Sequence, residues 1–114
     1  MPIKIVKNTI SKNELTALAQ GTFGDFVKAV VDIERGIAAL GGELHADEEA
    51  VLLEDGSKQE NLWGVNLYPE KSEEWIEFNS MINVRPSQGN KSRGVESHAI
   101  REKIQNTITT LVVE

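Results

Sequence analysis

The chain has 114 residues, no cysteine and a net charge of −6. That length fits one compact domain over residues 1–114, the missing thiols exclude disulfides, thiolate metal centres and a cysteine nucleophile, and the acidity argues against broad nucleic-acid binding. No stretch approaches the roughly 20 apolar residues of a membrane span, and the start, Met1-Pro2-Ile3-Lys4, lacks a secretory pattern, so the expectation is a soluble, cytoplasmic protein with no membrane partner.

Ile3 to Val6 reads as a short strand. Ser11-Lys12-Asn13-Glu14 has the spacing of a capping box, with Ser11 as N-cap and Glu14 reaching back. Leu15, Leu18 and Ala19 then share one helical face, and Gly21 and Gly24 end the helix. Phe26 to Ile33 is rich in β-branched residues. Glu34-Arg35-Gly36 makes a hairpin turn with Gly36 at positive φ, and the return strand starts at Ile37 and runs on to Leu44. A helix over residues 25–40 is the competing reading, which Gly36 and Val30-Val31 disfavour.

Ala50 to Glu54 reads as a further strand closed by Asp55-Gly56. Leu62 to Tyr68 is the next, stopped by Pro69. Trp75 to Val84 shows the clearest alternation, with Ile76, Phe78, Ile82 and Val84 on one face and Glu77, Asn79, Met81, Asn83 and Arg85 on the other. Pro86 breaks that ladder. Ser97 is an N-cap for a last helix whose apolar stripe is Ile100, Ile104, Ile108, Leu111 and Val112. The sum is an α+β fold, with an antiparallel sheet of four to five strands and an N-terminal and a C-terminal helix packed on one face.

Charge is distributed unevenly. Residues 43–60 hold seven acids against Lys58, whereas residues 84–95 hold Arg85, Lys91 and Arg93 and no acid. Gly41-Gly42-Glu43-Leu44-His45-Ala46-Asp47 puts an acid, an imidazole and an acid at alternate positions. On a strand those three side chains share one face, and with Leu44 turned to the core they face outward. Helices on one side leave the other sheet face open, where Glu43, His45 and Asp47 would meet Asn79, Asn83 and Arg85. A bulge at Gly41-Gly42 would invert that placement.

Those residue types suit metal-free acid–base chemistry. His45 titrates near neutral pH and serves as proton shuttle, Glu43 orients it or acts as base, and Arg85 and Arg93 hold a phosphate. Asp47, Asn79, Asn83, Gln88, Asn90, Lys91 and Ser92 are the candidate substrate-binding groups. The reaction that fits is phosphodiester or RNA cleavage, with no metal and no cofactor. The bland alternative makes the acids a solvated face and His45 an ordinary hydrogen-bonded residue. A further alternative is a non-enzymatic binding or assembly module. In it the acidic segment clamps the basic loop, either within one molecule or across a homodimer.

Val30-Val31-Asp32-Ile33-Glu34-Arg35-Gly36, Gly41 to Asp47, Gly56 to Gly64 and Ile82 to Arg93 together resemble a family of small prokaryotic proteins described only as a domain of unknown function. The resemblance spans nearly the whole chain. It implies a stand-alone domain and supplies no catalytic residues.

Overall fold

The computed structural model describes residues 3–114. Its main sheet is five-stranded and antiparallel, in the order β1 (Lys4–Val6), β4 (Ile37–Leu40), β3 (Val27–Asp32), β5 (Leu62–Leu67), β6 (Ile76–Glu77). Three helices accompany it: α1 (Lys12–Gln20), α2 (His45–Glu54) and α3 (His98–Leu111). A separate parallel pair, β2 (Ile10–Ser11) with β7 (Val112–Val113), ties the start of α1 to the end of α3.

The hairpin forms as its residues dictate. Asp32 Oδ1 accepts the backbone N–H groups of Glu34 and Arg35 at 3.0 and 2.9 Å, the local turn that short acidic side chains favour. Gly36 sits at φ +67, where a Cβ is costly. The return strand ends at Leu40 rather than continuing to Leu44, because Gly41 turns at φ +90. Ser11 caps α1 by accepting the Glu14 N–H at 3.1 Å. Glu14 does not complete the box; its carboxylate pairs with Lys4 instead.

Alternation along the central strands builds two cores. Val27, Ala29 and Val31 pack with Leu15 and Ala19 of α1 and with Ile104, Ile108 and Leu111 of α3. Val30 turns the other way and packs with Ile37, Ala39, Leu62 and Leu52 of α2. The expected open sheet face is therefore covered. Its cover is the segment read as a strand over 50–54, which is the second half of α2. In α3, Ser97 Oγ accepts the Ile100 N–H, and the Thr107 and Thr109 hydroxyls donate to the carbonyls of Lys103 and Gln105 four residues back. Those bonds accommodate threonines of poor helix propensity.

The expected strand over 75–84 shrinks to Ile76–Glu77; Met81–Asn83 is a turn of 3-10 helix. The edge of β5 that lacks a strand partner, ahead of β6, is finished by side chains. Asn83 accepts the Gly64 N–H at 2.8 Å and donates to the Gly64 carbonyl at 2.9 Å. Arg85 donates to the Leu62 carbonyl.

Candidate functional site

Cross-strand pairing sets the polar end of the face beneath α2. Lys28 of β3 is opposite Asn66 of β5, and Val30 is opposite Gly64. Val30, with its cluster partners, is apolar, so polar side chains gather toward Lys28 and Asn66. Gly64 is where the chain needs no side chain. A Cβ there would lie 2.6 Å from the Ser80 Cβ and Oγ and 3.2 Å from the His45 Cδ2. Glycine thus lets Ser80 and the imidazole close on the strand.

His45 is the first residue of α2 and is only 8 % exposed. Its Nε2 lies 2.8 Å from the Val65 carbonyl oxygen. A carbonyl can only accept, so Nε2 carries the proton and the neutral ring presents Nδ1 as a bare acceptor. Burial lowers the His45 pKa, the Val65 contact opposes this, and the Lys28 and Arg93 charges lower it further. At neutral pH the group is an uncharged imidazole with two cations in electrostatic reach.

Glu48, one turn further along α2, is fully buried. Its Oε2 accepts the Gly42 N–H at 2.9 Å, and its Oε1 is buried without a partner. Burial pushes its pKa up to about 9, against the opposing pull of the Gly42 bond and Lys28. The carboxyl is therefore protonated at neutral pH. Asn66 donates to the Glu77 carboxylate at 2.8 Å and to the Asn79 carbonyl at 3.5 Å, while its own Oδ1 is buried and unpartnered.

The alternate-position triplet does not share a face, because Gly41 ends the strand before it. His45 and Asp47 lie two apart on a helix, where side chains diverge by roughly 200°. His45 points inward and Asp47 is exposed in the first turn. Glu43 and Leu44 precede the helix. Both are exposed and line a cleft of about 400 Å³ with Gly21, Thr22 and Phe23. Leu44, expected in the core, is 55 % exposed.

The basic segment is knotted to its own molecule. The Arg85 guanidinium sits 4.2 Å from the Trp63 ring centroid and donates to the carbonyls of Gln59 and Leu62. Gln88 donates to the Glu60 carbonyl at 3.1 Å. Asn90 donates to the carbonyls of Asn83, Ser92 and Gly94 and accepts the Glu96 N–H. The Lys91 and Ser92 N–H groups donate to the Glu96 carboxylate, which holds its pKa low. The acidic segment and the basic loop thus meet within one molecule, through backbone carbonyls. Arg93 keeps an exposed side chain, and its carbonyl accepts from Ser80 and Asn83. Asn79, Asn83 and Arg85 therefore do not form a strand row opposite His45.

Lys28, Glu48, Asn66 and Ser80 were not among the expected site residues. Asn66 had a signal: it is the lone polar residue in an otherwise apolar and buried strand, and a buried polar position is the informative one. Among the described residues no group of three or more acids and histidines is placed to hold a metal ion, and no helix is long and apolar enough to cross a membrane.

A model of the family described as protein of unknown function DUF5674 matches residues 4–111. The chain belongs to that family. No curated protein and no solved structure matches it. The DUF5674 match spans α2 and the loop over 85–96 alike, so both the buried imidazole and the knotted loop lie within the family's extent.

Proposed function

We propose that the polar end of the face beneath α2 binds a phosphate ester and that His45 acts there as general base in metal-free phosphodiester cleavage. The observation that carries this reading is the His45–Val65 contact. It holds the proton on Nε2 and leaves Nδ1 as the acceptor, and the Lys28 and Arg93 charges act on the same ring. In the reaction, Nδ1 takes the proton of an attacking hydroxyl as its oxygen bonds to phosphorus. The P–O bond to the leaving group breaks, and the imidazolium returns the proton to the departing oxygen. Lys28 and Arg93 stabilise the negative charge that builds on the phosphoryl oxygens.

The Val65 carbonyl takes the orienting role first given to Glu43. Phosphate binding rests on Arg93 and Lys28, since both terminal nitrogens of Arg85 already serve carbonyls. The test is cleavage of a single-stranded RNA oligonucleotide and of bis(p-nitrophenyl) phosphate by chelator-treated protein. His45→Ala is expected to lower the rate by roughly a hundredfold or more, and Lys28→Met to lower it as well. Absence of cleavage, or a rate unchanged in His45→Ala, overturns the reading.

A further inference from the structure

A cavity of about 360 Å³ lies between the β2–β7 pair and the connection from β5 to β6. Pro69, Trp75, Val112 and Val113 supply its apolar walls, and Lys12 and Lys71 line it beside them. None of these residues belongs to the His45 site. Backbone pairing builds both sides. On one side Ser11 is opposite Val113, which brings Lys12, the first residue of α1, alongside β7. On the other, the Tyr68 N–H donates to the Trp75 carbonyl at 2.8 Å and the Lys71 N–H to the Tyr68 carbonyl at 3.0 Å, so the connection is closed on itself. Glu74, immediately before Trp75, is the one non-glycine residue at positive φ among the described residues, at +51. Such a conformation costs energy and persists where the surrounding structure demands it. Here it sets the direction of the chain as it enters Trp75.

We propose that this cavity binds a small organic anion with a flat apolar body, of the aromatic carboxylate class. The proposal is independent of the His45 chemistry. The walls carry it. Trp75 is half-buried: it packs against the core under α1 and α3 and still lines the cavity, so a flat ligand meets an indole that the core holds in place. Val113 is 43 % exposed, an apolar surface that a ligand would remove from water. Charge decides the sign of the ligand. Among the described residues no carboxylate is within ion-pair distance of Lys12 or Lys71. The Lys71 ammonium lies 4.6 Å from the centroid of the Tyr68 ring. That contact steadies one side of the ammonium and leaves N–H donors for a carboxylate. Glu114 is the single acid of the wall, against two cations. The volume falls within the usual range of small-molecule sites, roughly 300–1,000 Å³, and suits a carboxylate carried on one or two rings.

Titration of the full chain with naphthalene-2-carboxylate, naphthalene-2-carboxamide and acetate, followed by the tryptophan indole N–H resonances, tests this. The chain has two tryptophans. Trp63 is 1 % exposed, so Trp75 reports the cavity, and Trp75→Phe identifies its resonance by its loss. The carboxylate is expected to shift the Trp75 resonance saturably and to leave that of Trp63 in place. It should bind on the order of tenfold tighter than the carboxamide, the margin of a charge-assisted hydrogen bond over a neutral one, and tighter than acetate by at least as much. Lys12→Met and Lys71→Met, both at exposed positions, bring the carboxylate to carboxamide ratio toward unity. Glu114→Gln tightens the carboxylate, and His45→Ala leaves it unchanged. Val113→Ser weakens carboxylate and carboxamide alike, and tests the apolar wall without touching the core. Equal affinity for carboxylate and carboxamide overturns the anion site. Acetate binding as tightly as the naphthoate reduces it to surface charge and overturns the aromatic ligand. A Trp75 resonance that ignores all three compounds, or a shift at Trp63 alone, overturns the cavity as the site.

Discussion

Asn83 completes the edge of β5 as a neighbouring strand would, pairing both the N–H and the carbonyl of Gly64 through one side-chain amide. Both bonds are buried, so truncation strands two backbone groups at once. Asn83→Ala is expected to destabilise the fold by about 2–4 kcal/mol, read as a lower midpoint in urea denaturation. Asn83→Asp removes only the donor and turns an anion toward the Gly64 carbonyl, so it should be no milder. A change within experimental error for Asn83→Ala would mean that water replaces the amide and that the edge is not sealed by it.

Gly64 is tested by the reverse change. A methyl group there would stand 2.6 Å from Ser80, so Gly64→Ala forces Ser80 and the His45 ring off the strand. The expected cost is about 1–3 kcal/mol, as for overpacked sites. Ser80→Gly in the same chain removes the closest atoms and should recover part of that loss. A double variant no more stable than Gly64→Ala alone would place the strain elsewhere.

These two residues also show where sequence pattern and structure part. The alternation over 75–84 is real, but a strand pairs through its backbone, and here Asn83 and Arg85 serve the edge through side chains while Ser80 caps the 3-10 turn over Met81–Asn83. Nothing in a period of two distinguishes those uses. The Ala50-Val51-Leu52-Leu53 run failed for a different reason: a short apolar run suits a buried strand or a buried helix equally. The spacing of His45, Glu48 and Leu52, three and four apart and all buried, was the helical signal. Two of the three are polar, so no apolar stripe marks it. The hairpin, the Ser11 and Ser97 caps and the α3 stripe as far as Leu111 were legible because each rests on local chemistry; Val112, read as the end of that stripe, leaves the helix and pairs in β7.

Glu48 makes stability depend on pH. Its pKa is about 9 in the fold and 4.5 as an ordinary side chain. Below 4.5 the carboxyl is protonated in both states, and its contribution is fully present. Between 4.5 and about 9 the unfolded chain releases a proton that the folded chain keeps, so stability falls as pH rises. Glu48→Gln keeps a neutral side chain of similar shape. It is expected to flatten the decline and to exceed the parent chain in stability at the alkaline end of that window. Denaturation midpoints across the window check this, and parallel profiles for the two chains would show that Glu48 is not protonated in the fold.

His45 acts with the opposite sign. Its pKa in the fold lies below 6.5, so its neutral form contributes stability above 6.5 that is lost as pH falls through the lower folded value. Replacing it with Asn should reduce the acid sensitivity of the fold. Any cleavage by the parent chain should persist to more acidic pH than an ordinary histidine base allows. A rate falling with an apparent pKa of 6.5 or above would assign the base to another group.

The most direct test of the account is the nitrogen resonances of the His45 ring, followed by long-range proton–nitrogen correlation at neutral pH as inorganic phosphate is added. A neutral ring with the proton on Nε2 and a bare Nδ1, both shifting saturably with phosphate, is the predicted result. A doubly protonated ring, a proton on Nδ1, or resonances that ignore phosphate would contradict it.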